Sequence, residues 1–301
     1  MGMLQGLSLA VCTLPLPNPM TFTSMLVLQS FAGAVMDVVI DGLMVVQQRK
    51  DPENGSENLQ TLSWAMVGIG GITGTLIGGV LTELNQDSYC YAMRAGLGFL
   101  ISGVAFTMDH SMEGDDQEFI NQSSWSRLRK NLHAVYQGCK IPELWRSLCF
   151  FIIMGALIPS FGDFLYYYQI EVTGFSQFTY SMLQVLGYIT LFISTFMYNA
   201  CLTSWEVRHM MAAACLINMV GALTTVLYTT ETTFGLSPLT FVCLTSTVTD
   251  TLYLAYTTLP AMVLFAKLIP EQVESSMFAM LTGVLNFSNL FLAKELGILI
   301  N

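Results

Sequence analysis

Charge is scarce in this sequence: Asp, Glu, Lys and Arg make up 11% of its 301 residues, against roughly 25% in an ordinary soluble domain. So few charges cannot hydrate the surface of a chain that is 53% hydrophobic, which excludes a single water-soluble core. Basic residues are the scarcest. Eleven Lys and Arg are scattered along the chain, without the clustering that a nucleic-acid partner requires. The three histidines, His110, His133 and His209, stand far apart, so no metal centre is expected. Seven cysteines are an odd number and most lie inside apolar runs, as packing residues do and disulfide frameworks do not. Gly68 and Gly70 begin a dinucleotide-like glycine pattern that fails at Thr73, and no strand precedes it, so no nucleotide cofactor is expected. The apolar stretch 1–14 has neither a basic region before it nor a small-residue cleavage site, and reads as a membrane span cut short rather than a signal peptide.

Long apolar runs are what the sequence does contain. They lie at 1–14, 23–46, 62–81, 89–108, 148–169, 179–202, 209–228, 238–266 and 275–293, and most match the roughly 20 residues of a spanning helix. The chain is therefore expected to be all-α, a polytopic transmembrane bundle integral to a lipid bilayer. Pro159 and Pro260 are expected to kink their helices. The longest polar stretch, 109–145, separates a four-helix part (1–108) from a five-helix part (146–301) and carries an amphipathic helix near 124–135. It is expected to link two half-bundles. The net charge of −10 says little about partners, because eight acids, Glu57 among them, fall in two polar loops.

Orientation follows from the basic residues. Arg49 and Lys50 follow the second run, Arg127, Arg129, Lys130, Lys140 and Arg146 the fourth, Arg208 the sixth and Lys267 the eighth. The alternate loops, 15–21, 82–88, 170–178 and 229–237, contain no basic residue. Positive charge is retained in the cytosol, which places the 109–145 linker there.

Ionisable side chains inside apolar runs are costly and mark functional positions. Five stand out: Asp37, Asp41, Arg94, Asp163 and Asp250. Asp37 and Asp41 share a helix face, four residues apart, and repel one another where the dielectric is low, which suits a proton-exchanging site. Asp37 and Asp250 lie roughly 20 and 18 Å along their apolar runs at about 1.5 Å per residue, near mid-membrane. Two readings stand beside each other: a proton-coupled solute site, or a structural network of acids with Arg94 and the hydroxyls of Thr245, Thr247 and Thr249. Asp41, nearer the cytosolic end, fits the structural role better. Arg94 and Asp163 suit a salt bridge, while the planar fork of Arg94 also suits a solute carboxylate. Tyr166 to Tyr168 close the fifth run as an interfacial belt would, with Tyr166 a candidate for stacking on a flat ring. Six glycines from Gly68 to Gly79 predict close helix packing. Asp37 precedes Trp64 by 27 positions and Asp250 precedes Phe278 by 28, the weak internal symmetry of a duplicated transporter.

The stretches DVVIDGLMVVQQR (37–49), LQTLSWAMVGIGGITGTLIGG (59–79), PELWRSLCFFIIMGALIPSFGDFLYYYQIEVTGFS (142–176) and LIPEQVESSMFAMLTGVLNFSN (268–289) resemble the folate-biopterin transporter family of the major facilitator superfamily. That resemblance implies a two-half bundle of twelve helices, of which this chain would carry about nine, the third to the eleventh. It also implies secondary transport, by alternating access, of a small organic solute such as a folate or pterin. Two alternatives belong to other classes. One is a truncated, inactive homologue that acts as a membrane interaction partner. The other is an intramembrane aspartyl protease built on Asp37 and Asp163, although Ser-Phe-Gly-Asp at 160–163 lacks the first glycine such enzymes carry.

Overall fold

The computed structural model describes residues 1–14, 18–48, 50–51, 54–107, 124–138, 140–269 and 274–300. Helix is the one regular structure among them, as apolar segments without water to satisfy their backbone require. In chain order the helices are α1 (Gly2–Cys12), α2 (Pro19–Gln48), α3 (Gly55–Glu83), α4 (Asp87–Ala105), α5 (Ser124–Gly138), α6 (Pro142–Leu157), α7 (Gly162–Tyr167), α8 (Gln177–Met197), α9 (Val207–Thr229), α10 (Pro238–Leu244), α11 (Ser246–Leu268), α12 (Glu274–Asn286) and α13 (Ala293–Ile300). Single π-helical turns extend α7 (Tyr168–Val172) and α8 (Tyr198–Leu202), and another joins α12 to α13 (Phe287–Leu292).

Six spans among the described residues are long and apolar enough to cross a bilayer, and a seventh if α6 and α7 form one broken span. Nine were expected from hydropathy. At 11 residues α1 is too short to cross, and α4 falls outside the set because Arg94 and its polar first turn dilute its apolar residues. Outward faces are apolar: Leu216, Met219, Val220 and Leu223 of α9 are all exposed, the reverse of a soluble protein and the pattern of a lipid-facing helix.

The chain forms two compact units, each discontinuous in sequence. The first comprises Met1–Asp51, Gln86–Ser160 and Leu268–Asn301. There α1 packs against α2 and α4, and α12 against α2 and α6. Glycine permits the α1–α4 approach: a Cβ on Gly98 would lie 2.9 Å from the Gly6 nitrogen and 3.1 Å from the Gly2 carbonyl. Gly155 of α6 likewise accommodates Ser288, whose hydroxyl donates to the Phe151 carbonyl. Leu144, Val45, Met277 and Leu281 are fully buried in this unit. Pro159 ends α6, as its sequence implies, and the freed Ser160 N–H donates to the Ala293 carbonyl at 2.8 Å, which meets the need for a partner that a broken backbone creates. Helix α5 matches the expected amphipathic segment; its Lys140 neighbour lies 4.3 Å over the Tyr136 ring. The part of the linker that precedes it, 109–123, lies outside the described residues.

The second unit comprises Pro52–Asn85 and Phe161–Lys267, and its dominant contact is α3 against α8. The glycine stripe makes it. Gly68 faces Phe192, Gly71 the Tyr188 ring and Gly79 Ser181, whereas Gly70, Gly74 and Gly78 face open space. Leu191, Tyr198, Met210, Ala214, Tyr256 and Leu259 form a core behind this seam, flanked by Trp64. Helix α11 continues through a buried Pro260 without a break. The break in this span falls instead at Thr245, whose φ of −118° and ψ of −96° separate α10 from α11.

The seam yields a direct test. Gly71→Val places a branched side chain where Tyr188 already sits, and is expected to cost about 1–3 kcal/mol or more. Gly74→Val, on the open face, should stay within about 0.5 kcal/mol. Thermal unfolding in detergent followed by fluorescence would measure both; equal melting points would refute the packing role of the stripe.

Candidate functional site

Asp37 and Asp41 lie on α2, one turn apart, with Asp37 exposed and Asp41 half-buried. Helix α2 starts at Pro19, four residues before its apolar run, so Asp37 sits about 27 Å from the start of the helix and about 16 Å from its end at about 1.5 Å per residue. Arg94 is exposed on α4. These three belong to the first unit, and Asp163, Tyr166 and Asp250 to the second.

In the second unit Asp163 stands in the first turn of α7, where the helix N-terminus favours negative charge. Tyr166, on the same short helix, exchanges a hydrogen bond with the Gln177 side chain at 3.2–3.3 Å. Its ring meets Tyr180 edge-on at 4.8 Å and Tyr167 at 5.2 Å. The expected belt residue is thus tied to α8 by both polar and aromatic contacts.

Asp250 has the most distinctive surroundings. It lies one turn beyond the Thr245 break within the 31-residue span Pro238–Leu268, about 18 Å from the start of that span by helical rise. A run of threonines flanks it. Thr245, Thr249 and Thr251 donate to the carbonyls of Phe241, Thr245 and Thr247 at 2.6, 3.2 and 2.9 Å, the back-bonding that bends helices. The Thr245 and Thr249 hydroxyl protons are thereby engaged by the backbone rather than by an acid among the described residues. Asp250 itself is exposed, beside Gly221 of α9.

One polar cluster escaped sequence reasoning. Glu57, assigned to a loop by hydropathy, lies in the first turn of α3 and is buried. Its Oε1 accepts from Lys267 Nζ at 2.6 Å, joining the start of α3 to the end of α11. Glu57 Oε2 and Thr61 Oγ1, one turn on, are buried without a hydrogen-bond partner among the described residues. Asn58 accepts from Asn199 at 3.3 Å beside them. The available signal was Asn54 before an acid in a first turn, a helix-start pattern that a polar average over 51–61 obscures. Gln29, buried in α2 with its Oε1 likewise unpartnered among the described residues, was also missed, since one amide barely alters the mean hydropathy of a span. No group of three or more His, Cys, Asp or Glu side chains among the described residues is arranged to hold a metal ion.

The model of the BT1 family matches residues 2–301. The folate-biopterin transporter of Synechocystis sp. is 24% identical over 278 residues, covering 91% of this chain and 54% of the relative. Probable folate-biopterin transporter 4 of Arabidopsis thaliana is 23% identical over 321 residues, covering 88% of this chain and 65% of the relative. Folate transporter 1 of Plasmodium falciparum is 25% identical over 166 residues, 55% of this chain and 33% of the relative. The chain spans about half to two thirds of the length of the first two relatives. No solved structure matches.

Proposed function

The chain belongs to the BT1 family, and from that premise we propose that it carries out proton-coupled transport of a folate, a pterin or a related small organic solute by alternating access. Its relatives here are named as transporters, not enzymes, which removes the intramembrane-protease reading. The observation that carries the proposal is Asp250, an ionisable group in a transmembrane span interrupted at Thr245. Interrupted helices are where transporters bring substrate and coupling ion, and a carboxylate in an apolar span is retained for such work.

The chemistry fits the solute. A pterin ring presents adjacent N–H donors, and a carboxylate accepts two in parallel through its two oxygens. Charge-assisted bonds of that kind are worth more in a site shielded from water. Arg94 suits the carboxylate that folates carry, through its two-pronged guanidinium. Asp37, near the middle of its apolar run, is assigned a part in transport in its own right, and Asp41, nearer the helix end, is assigned to packing. Asp37→Asn is therefore expected to reduce uptake by about tenfold or more, the scale of about 1.4 kcal/mol or more, while Asp41→Asn changes it little. Matching, mild losses would assign both acids to packing.

Uptake of labelled folate, labelled biopterin and an unrelated anion in cells expressing the protein tests the reading as a whole. Saturable uptake of folate or biopterin, greater at lower external pH, is expected. Folded protein at the membrane with no uptake of either would instead support an inactive homologue that acts by interaction.

A further inference from the structure

Two glycines bring neighbouring helices against α11 on either side of Asp250. Gly187 of α8 approaches Thr251, where a Cβ would lie 3.3 Å from the hydroxyl. Gly221 of α9 is closer and buried. A Cβ on it would lie 2.7 Å from Thr249 Oγ1, 3.3 Å from Thr249 Cβ and 3.2 Å from Asp250 Oδ1. No helix requirement explains a glycine there. Gly221 lies mid-helix, with no positive φ, where glycine is less favourable than alanine by about 1 kcal/mol.

Thr249 has little room to yield. Its hydroxyl is shared between the Thr245 and Ser246 carbonyls at 3.2 and 3.3 Å, at the start of α11. A methyl at position 221 would thus press on the hydroxyl beside the carboxylate and on the carboxylate itself. Leu252 and Tyr253, on the following turn, already pack against the core behind α8 and α9, so α11 cannot simply roll away.

We propose that Gly221 is a positioning residue for Asp250: by lacking a side chain it lets the carboxylate occupy the conformation that engages the solute. The inference rests on the assignment of Asp250 to the transport site. Gly221 touches no solute; it acts through Asp250 and Thr249. It would also bear on specificity, since a shift of an ångström in a hydrogen-bonding carboxylate changes which paired donors it can meet.

The test compares Gly221→Ala, Gly187→Ala, Gly221→Ala with Thr249→Ala, and Asp250→Asn in the full chain. Uptake kinetics of labelled biopterin are read together with folded yield in detergent and labelling of Asp250 by a hydrophobic carbodiimide. Gly221→Ala is expected to raise KM by about tenfold or more, as small misplacements of a binding group do, and to change carbodiimide labelling at Asp250 at unchanged folded yield. Thr249→Ala in that background removes the hydroxyl the methyl meets first and should restore much of the KM. Gly187→Ala should leave KM within about twofold. Loss of uptake in Asp250→Asn with an unaltered KM and labelling in Gly221→Ala would overturn the positioning role and leave the transport reading intact. Normal uptake in Asp250→Asn would overturn the transport reading itself. Loss of folding in both Gly221→Ala and the double variant would make Gly221 a packing residue and overturn the proposal.

Discussion

Asp250→Asn is expected to abolish or strongly reduce uptake while leaving insertion and folding intact. The amide keeps the size of the carboxyl and its hydrogen-bonding reach, so the packing of α11 against α9 at Gly221 is preserved. What it removes is the charge and the exchangeable proton. Solute binding loses a charge-assisted acceptor worth about 1.5–3 kcal/mol, a loss of at least about tenfold in affinity. On the proposed proton-coupled mechanism the coupling is lost as well, because an amide does not titrate in the working range. On that mechanism wild-type uptake should rise as pH falls on the side from which the solute enters. In the variant the residual uptake should be flat with pH. Unchanged uptake with an unchanged pH profile would exclude Asp250 from the transport site.

The second large effect is expected at Glu57 and Lys267. Lys267→Met leaves the Glu57 carboxylate buried without its counter-charge. Breaking a fully buried pair in this way costs about 3–5 kcal/mol. The Lys267 side chain is 50% exposed against 11% for Glu57, so water screens part of the interaction and the expected cost falls to about 1–3 kcal/mol. Because Glu57 is the more buried partner, removing both charges together is informative: Glu57→Gln with Lys267→Met should recover most of the stability lost in Lys267→Met alone. Melting temperatures in detergent measure the set. A double variant no more stable than Lys267→Met would show that the pair is not coupled, and that the lysine acts through its stem rather than its charge.

Much of the fold was legible because a bilayer constrains sequence so directly. A run such as 209–228 has no partner for its backbone except itself, and α9 occupies Val207–Thr229. The boundaries drifted where polar residues belong to helices. Helix α3 begins at Gly55 instead of 62, since Glu57, Gln60 and Thr61 are buried by tertiary contacts that average hydropathy cannot register. Arg94 worked in the opposite direction, drawing α4 below the apolarity of a span. Of the glycine stripe, the sequence indicated packing but not which members pack. Gly68, Gly71 and Gly79 face α8 and the other three do not, which depends on where α8 lies.

The sequence by itself determined the solvent, the helical class, the acids embedded in apolar spans and the family resemblance that the comparisons bear out. Each of these follows from local composition: an apolar run of sufficient length, or a charge within one, has the same meaning whatever surrounds it. Only the tertiary structure decided that Glu57 pairs with Lys267 across 210 positions, that the span carrying Asp250 breaks at Thr245 and not at Pro260, and that Gly221 faces that carboxylate. The first and the last of these are properties of close approach between helices distant in the chain. Short-range sequence patterns report which face of a helix is polar or small, but the partner that meets that face is chosen by the packing of the whole unit.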